Sequence, residues 1–286
     1  MLRWMGIMAA LAWPVASFGQ DDPDPFADST TELGNGAYVF GNFSARSMIW
    51  VGEDGVIVSD PTSTRHARAL RDAVAALTDQ PIRYVIYSHQ HWDHSLGGQI
   101  FKDDGAVFVS HQACIKHWQR HPHDELVMPD VTVETGGRIS VTGQTIRLRY
   151  HGPNHGDCML VMQADGSDVL YVSDLVTPFS LGLGFMPDYD PVEWIRTLKE
   201  LEADAGWQRM VGAHGSAPAP RDALAQRRRY LEALMVAVRK GMDEGKRLDD
   251  LYGSVELPEE FHSLRGYDTQ LARAAERIYY YYLMGW

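Results

Sequence analysis

The sequence predicts an α/β fold built on mixed β-sheets, and three observations carry that expectation. Short β-branched and aromatic runs recur along the chain and alternate with segments whose apolar residues fall three or four apart. Clusters of Gly, Asp, Asn and Pro separate these runs, as turn chemistry requires. A run dense in histidine, Ser88-His89-Gln90-His91-Trp92-Asp93-His94, begins where one apolar run ends. In α/β sheets the C-terminal ends of strands are where sites are assembled.

Taken in order, 37–40 and 47–51 read as strands, and 55–60 as a third after the turn signal Glu53-Asp54-Gly55. Ala67, Leu70, Val74 and Leu77 give 66–77 helical spacing. A buried strand over 82–87 leads straight into the histidine run, then comes a strand over 106–109 and a helix over 113–120. In the second half 145–150, 159–162 and 169–172 read as strands, with Asp165-Gly166-Ser167 turning between the last two. Pro191 opens a helix to about 203, Pro being favoured in a first helical turn. Residues 210–212 form a last short strand, and helices follow over 221–244 and 269–283. The aromatic face of that final helix, Tyr279 to Tyr282, is expected to pack on the domain rather than on a membrane.

At the start, Met1-Leu2-Arg3 precedes an uncharged stretch to Phe18, and small residues stand at Ser17 and Gly19. That is the layout of a secretory signal peptide cleaved near Gly19-Gln20. A retained anchor is the competing reading, but the apolar run is shorter than the ~20 residues a spanning helix needs, and Pro14 interrupts it. A periplasmic or secreted protein without a stable membrane span is therefore expected. A hydrophobic fraction of 45% allows a sizeable core. A net charge of −12 disfavours nucleic acid as a partner and leaves a small molecule as the expected substrate. The two cysteines, Cys114 and Cys158, are no disulfide framework; buried free thiols are expected, although an exported protein could pair them. Oligomeric state is not legible.

The chemistry concentrates in the pattern H-x-H-x-D-H at His89, His91, Asp93 and His94. Imidazole nitrogen and carboxylate oxygen suit zinc or a similar borderline ion. Four donors within six residues crowd a single ion, so two ions are expected. Residues two apart on an extended segment point the same way, which lets His89 and His91 serve one ion, while Asp93 and His94 reach another past a bend. His155 in a turn-rich segment, Asp174 after the strand at 169–172 and His214 after that at 210–212 can complete the two shells. A carboxylate at the position of Asp174 can bridge two cations.

These residues, in this order, resemble the signature of the metallo-β-lactamase superfamily over about residues 35–218. The resemblance implies an αββα four-layer sandwich of two mixed β-sheets flanked by helices, with extra C-terminal helices over 219–286 packed on the same domain. It leaves 1–19 as the signal peptide and 20–34 as a flexible N-terminal segment. It implies that His89, His91 and His155 hold one metal and Asp93, His94 and His214 the other, with Asp174 between them. One small departure is Gly212-Ala213-His214-Gly215, where many members have Gly directly before the His.

The function expected is an exported metal-dependent hydrolase of β-lactamase-like type, holding two divalent ions, zinc first and iron second. Two cations a few Å apart bring a shared water's pKa towards neutrality, so the resulting bridging hydroxide can attack a carbonyl or phosphoryl centre in a lactam, lactone, ester or thioester. Asp93 is the candidate catalytic residue, carrying a proton to the leaving group. The alternatives are an iron-dependent oxidoreductase or dioxygenase of the same fold and a non-catalytic metal-binding exported protein. Trp92, the Gly-rich apolar loop over 177–187 and the segment over 121–129 are candidate pocket walls. His117, His121 and His123 are expected on a solvated helix face, His111 as structural, and His151 behind His155. Arg227-Arg228-Arg229 is the one dense basic run, on a helix that solvent alone could account for.

Overall fold

The structure, a computed structural model, describes residues 28–42 and 45–285. The signal segment expected over 1–19 lies outside the described residues. So does part of the segment expected to be flexible, but its end does not behave as expected. Ser29–Gly34 is a strand, β1, paired antiparallel with β2 (Ala37–Asn42). The Asn35-Gly36 turn between them takes positive φ at both residues, which the tight reversal requires.

The first sheet continues through β3 (Ala45–Val51), β4 (Val56–Ser59), β5 (Ile82–Ile86), β6 (Val107–His111) and β7 (Val131–Val133), in sequential spatial order. Pairing is antiparallel from β1 to β4 and parallel from β4 to β7. The parallel strands need crossovers. These are supplied by α1 (Thr64–Leu77) and by the short helices α2 (Trp92–Ser95), α3 (Gln99–Asp103) and α4 (Ile115–Arg120). Ser63 caps α1 by accepting the His66 N–H.

The second sheet comprises β8 (Gly136–Val141), β9 (Gln144–Tyr150), β10 (Leu160–Ala164), β11 (Val169–Ser173), β12 (Arg209–Gly212) and β13 (Ala219–Pro220), in the reverse spatial order. Only β11 and β12 are parallel, joined by α5 (Pro191–Ala203), whose N-cap is Asp190. The chain closes with α6 (Asp222–Asp243), the short α7 (Leu248–Leu251) and α8 (Tyr267–Met284).

Side-chain alternation builds the layers. In β4, Ile57 points to the space between the sheets while Val56 and Val58 point to α1. In β11, Val169 and Tyr171 face the first sheet while Leu170 and Val172 face α5 and α6. Three apolar clusters result: one between the sheets, one under α1, α3 and α4, and one under α5, α6 and α8. This is a helix–sheet–sheet–helix sandwich. Tyr279 and Tyr282 of α8 pack on the third cluster, and Tyr282 donates to the Met235 carbonyl of α6. Among the described residues no helix is long and apolar enough to cross a membrane.

The reading of Cys114 and Cys158 as free thiols is corrected. They form a disulfide, with Cα atoms 5.3 Å apart. Sequence separation hid this: the start of α4 on the first sheet meets the loop before β10 on the second, and both cysteines lie in the same apolar cluster.

Candidate metal centre

The parallel strands β4 and β5, and β11 and β12, all end at one edge of the sandwich. The backbone there is shaped to turn side chains inward. Ser173 takes φ 47° and the β11–β12 register shifts beside it, so Asp174 swings out of the strand. Asp60, at the end of β4, takes φ 39°. Non-glycine residues rarely occupy this region, and when they do it is often at sites. Gly212 precedes the last histidine because a Cβ there would collide with the Val176 carbonyl.

All seven residues singled out from the sequence meet at this edge. They fall into two groups, His89, His91, His155 and Asp174, and Asp93, His94, Asp174 and His214. Within each group one donor atom per residue lies within 4.8 Å of the others. His89 Nε2 is 2.9 Å from His91 Nδ1, and His155 Nε2 is 3.4 Å from Asp174 Oδ2. His94 Nε2 is 3.2 Å from Asp174 Oδ2 and 3.7 Å from Asp93 Oδ2. His214 Nε2 is 3.5 Å from Asp174 Oδ1 and 3.4 Å from Asp93 Oδ2. Asp174 alone belongs to both groups.

This cluster is capable of binding metal ions, and the fit can be tested on its unpaired atoms. His94 Nε2, both ring nitrogens of His155 and Asp174 Oδ1 are buried without a hydrogen-bond partner. Leaving such a group unpaired costs ~1–3 kcal/mol. Three of these atoms, His94 Nε2, one nitrogen of the His155 ring and Asp174 Oδ1, offer lone pairs that a cation would satisfy. Electrostatics agree for His89 and His155; at His94 burial is outweighed by the Asp174 and Asp60 carboxylates, which raise it well above its ordinary value. Burial, and the neighbouring His94 and His91, push His89 well below its ordinary value, and burial also lowers His155. Both are therefore neutral imidazoles at neutral pH. Burial would raise Asp174, but the neighbouring His94, His155 and His214 outweigh it and hold the carboxyl well below its usual range. Burial likewise opposes ionisation of Asp93, yet its bond with His214 and the charge of His94 bring it to about 2.

Behind the cluster stand residues that the motif did not announce. The buried Asp60 carboxylate accepts the Ser88 N–H (2.7 Å), the Tyr171 hydroxyl (2.6 Å) and His94 Nδ1 (3.3 Å). Asp188 accepts from His91 Nε2 (2.7 Å) and from Gln90 Nε2 (3.0 Å). Ser88 Oγ bridges His89 Nδ1 and Ser173 Oγ. Such partners fix ring orientation and which nitrogen is free. For Asp60 a signal existed, an acid closing an apolar strand at the site edge. Asp188 sits in irregular chain and offered none.

The other histidines are placed elsewhere. His117 is not on a solvated face: its Nε2 meets Asp157 at 2.6 Å, since α4 packs against the loop that carries His155. His151 does not back His155; it pairs with Glu200 on α5. His111 caps the turn before α4 and stacks on Tyr150. The His123 ring lies 5.4 Å from that of Trp92.

A cavity of about 380 Å³ opens on the cluster. Its walls include Thr177, Ser180, Gly182, Leu183 and Met186 from the 177–187 loop, with Trp194, Arg227 and Arg265. The 121–129 segment contributes no lining residue. The basic run divides: Arg228 pairs with Glu202 and Glu232, Arg229 pairs with Glu260, and Arg227 turns inward to the cavity.

Comparison with known proteins adds the following. The family model described as "Metallo-beta-lactamase superfamily" matches residues 41–206, more than half of the chain. The 2,4-dinitroanisole O-demethylase subunit alpha of Nocardioides sp. (strain JS1661) is 27% identical over 173 residues, 59% of this chain and 52% of that protein. The chain thus spans about half the length of that curated relative. Among solved structures, a metallo-beta-lactamase from Pontibacter korlensis superposes with a TM-score of 0.64 at 17% identity, covering 72% of this chain and 99% of that one. The inverting sec-alkylsulfatase Pisa1 from Pseudomonas sp. gives 0.77 at 18% identity, covering 91% of this chain and 51% of that one. At such identities the superpositions establish the fold alone.

Proposed function

This chain belongs to the metallo-β-lactamase superfamily, and on that premise we propose that it is a metal-dependent hydrolase. The observation that carries the reading is the pair of four-residue groups sharing Asp174. His89, His91 and His155 would hold one divalent ion and Asp93, His94 and His214 the other, with Asp174 serving both. Such a pair supplies Lewis acidity and a water acidic enough to ionise near neutral pH. Zinc suits the nitrogen-rich set best.

The chain's own residues do the rest. Asp188 and Asp60 hold the His91 and His94 rings so that their lone pairs face inward. Trp194, Leu183 and Met186 offer an apolar wall that sheds water around the scissile bond. Asp93 keeps 61% of its side-chain surface exposed at the rim of the cluster, where its free carboxylate oxygen can reach a leaving group and relay a proton to it. If Asp93→Asn retains both metals and turns over at the wild-type rate, that role is lost.

We further propose that the protein works outside the cytoplasm. The Cys114–Cys158 disulfide supports this, since such bonds persist in oxidising compartments.

The test of the activity is a screen of lactams, lactones, esters, thioesters and phosphodiesters with zinc-loaded and chelated protein. The name of the O-demethylase relative adds an aryl methyl ether to the panel. Chelator-sensitive turnover of at least one class is expected. Turnover that survives chelation would overturn the reading, as would oxygen-dependent turnover with iron alone.

A further inference from the structure

Arg227 is placed where no described carboxylate pairs with it. It projects from α6 into the cavity that opens on the histidine cluster. Its Nη1 donates to the Leu181 carbonyl at 2.7 Å, while Nε is enclosed and has no partner. Its neighbours are rings: the guanidinium carbon lies 4.7 Å from the Trp194 ring centre and 5.2 Å from that of Tyr230. No described carboxylate forms an ion pair with it. A half-buried cation with an enclosed, unpaired Nε, aromatic faces and one carbonyl for company is held at a cost, and a bound anion would relieve that cost.

Two further observations point the same way. Arg265 lines the same cavity, is exposed, and forms no ion pair with a described carboxylate. Its backbone is pinned to the 177–187 loop, because its N–H donates to the Phe179 carbonyl and its carbonyl accepts from Leu181 N–H and Ser180 Oγ. Trp194 connects the arginine to the cluster, for its ring carries Arg227 on one side and meets the His155 ring edge-on at 5.1 Å. The rest of the wall is apolar, with Leu183 71% exposed.

We propose that Arg227 and Arg265 form an anion subsite, and that the substrate is an amphiphilic anion. Its charged group pairs with the two guanidiniums, its apolar part lies on Trp194, Leu183 and Met186, and its scissile bond is presented to the histidine cluster. The inference deepens the hydrolase reading by naming the substrate class, and it rests on that reading only for the last of these placements. Arg227 also clamps the 177–187 loop through Leu181, but that role uses one of its three nitrogens.

The test is binding to the zinc-loaded protein, read by calorimetry and Trp fluorescence, with 1-octanesulfonate and 1-octanol as probes. A sulfonate is a poor metal ligand, so a charge preference reports the arginines. The sulfonate is expected to bind at least tenfold more tightly than the alcohol. Arg227→Gln is expected to abolish that ratio and Arg265→Ala to lower it several-fold, with octanol affinity unchanged in the Arg265 variant. Arg265 is exposed, so its variant does not put folding at risk. A ratio unchanged in either folded variant, or no preference in the wild type, would overturn the subsite. Because the readout needs no turnover, a protein that hydrolyses nothing yet shows the preference would sink the hydrolase reading and leave the subsite standing.

Discussion

Replacing Asp60 by Asn removes one negative charge and almost no volume from a position that touches no candidate ligand atom directly. In the wild type one carboxylate oxygen takes the Ser88 N–H, and the other takes the Tyr171 hydroxyl and His94 Nδ1. All three partners donate. An amide keeps one acceptor oxygen and turns an NH2 towards the remaining donors, so at least one bond to a charged acceptor is lost and a donor faces a donor. Each such bond is worth ~1.5–3 kcal/mol. The Ser88 bond anchors the start of the histidine run, and the His94 bond sets its ring. Loss of comparable supporting contacts typically lowers metal affinity by ~10–100-fold, equivalent to ~1.4–2.7 kcal/mol. Competition for zinc against a chromophoric chelator at pH 7.5, with circular dichroism to confirm folding, measures the change. A folded Asp60→Asn protein with wild-type affinity would refute the argument that Asp60 holds the cluster.

Other predictions follow from single features. Removing the disulfide by Cys114→Ser with Cys158→Ser opens a 44-residue separation, for which loop-closure entropy predicts a loss of about 4 kcal/mol; urea unfolding with and without reductant checks it, and a change below 1 kcal/mol would contradict it. His66 is buried with Nδ1 unpartnered, and burial lowers it from 6.5 to about 4. The unfolded chain therefore takes up this proton first: the stabilisation is complete above pH 6.5 and is lost as the pH falls towards 4, by up to about 3 kcal/mol. Urea titrations across that range should show a steeper loss in the wild type than in His66→Gln, and parallel curves would contradict it.

Much of the sandwich was legible because its core strands carry strong local signals. The 82–87 run, the 169–172 run and the helix opened by Pro191 appear with ends shifted by at most a residue or two. Strands lacking such signals were not read. β1 has mostly exposed residues and forms by pairing with β2, and the two glycines that open β8 give no β propensity. The cluster was legible because His89 to His94 are packed into one short run. The hydrogen bonds of Asp60, Asp188 and Arg227 were not, since they run to partners more than 25 residues away, and no local pattern encodes such a pairing. The cysteines failed for the same reason: two isolated thiols in sequence become neighbours only when the two halves of the sandwich close.

The central claim is that seven side chains hold two ions with Asp174 common to both. Equilibrium dialysis of chelator-stripped protein against zinc, followed by elemental analysis, measures it directly. The expected result is two zinc ions per wild-type chain, with Asp174→Ala losing high-affinity binding of at least one and His214→Ala losing one. A wild-type chain that takes up one ion or none, or an Asp174→Ala chain that still holds two as tightly as the wild type, would contradict the account.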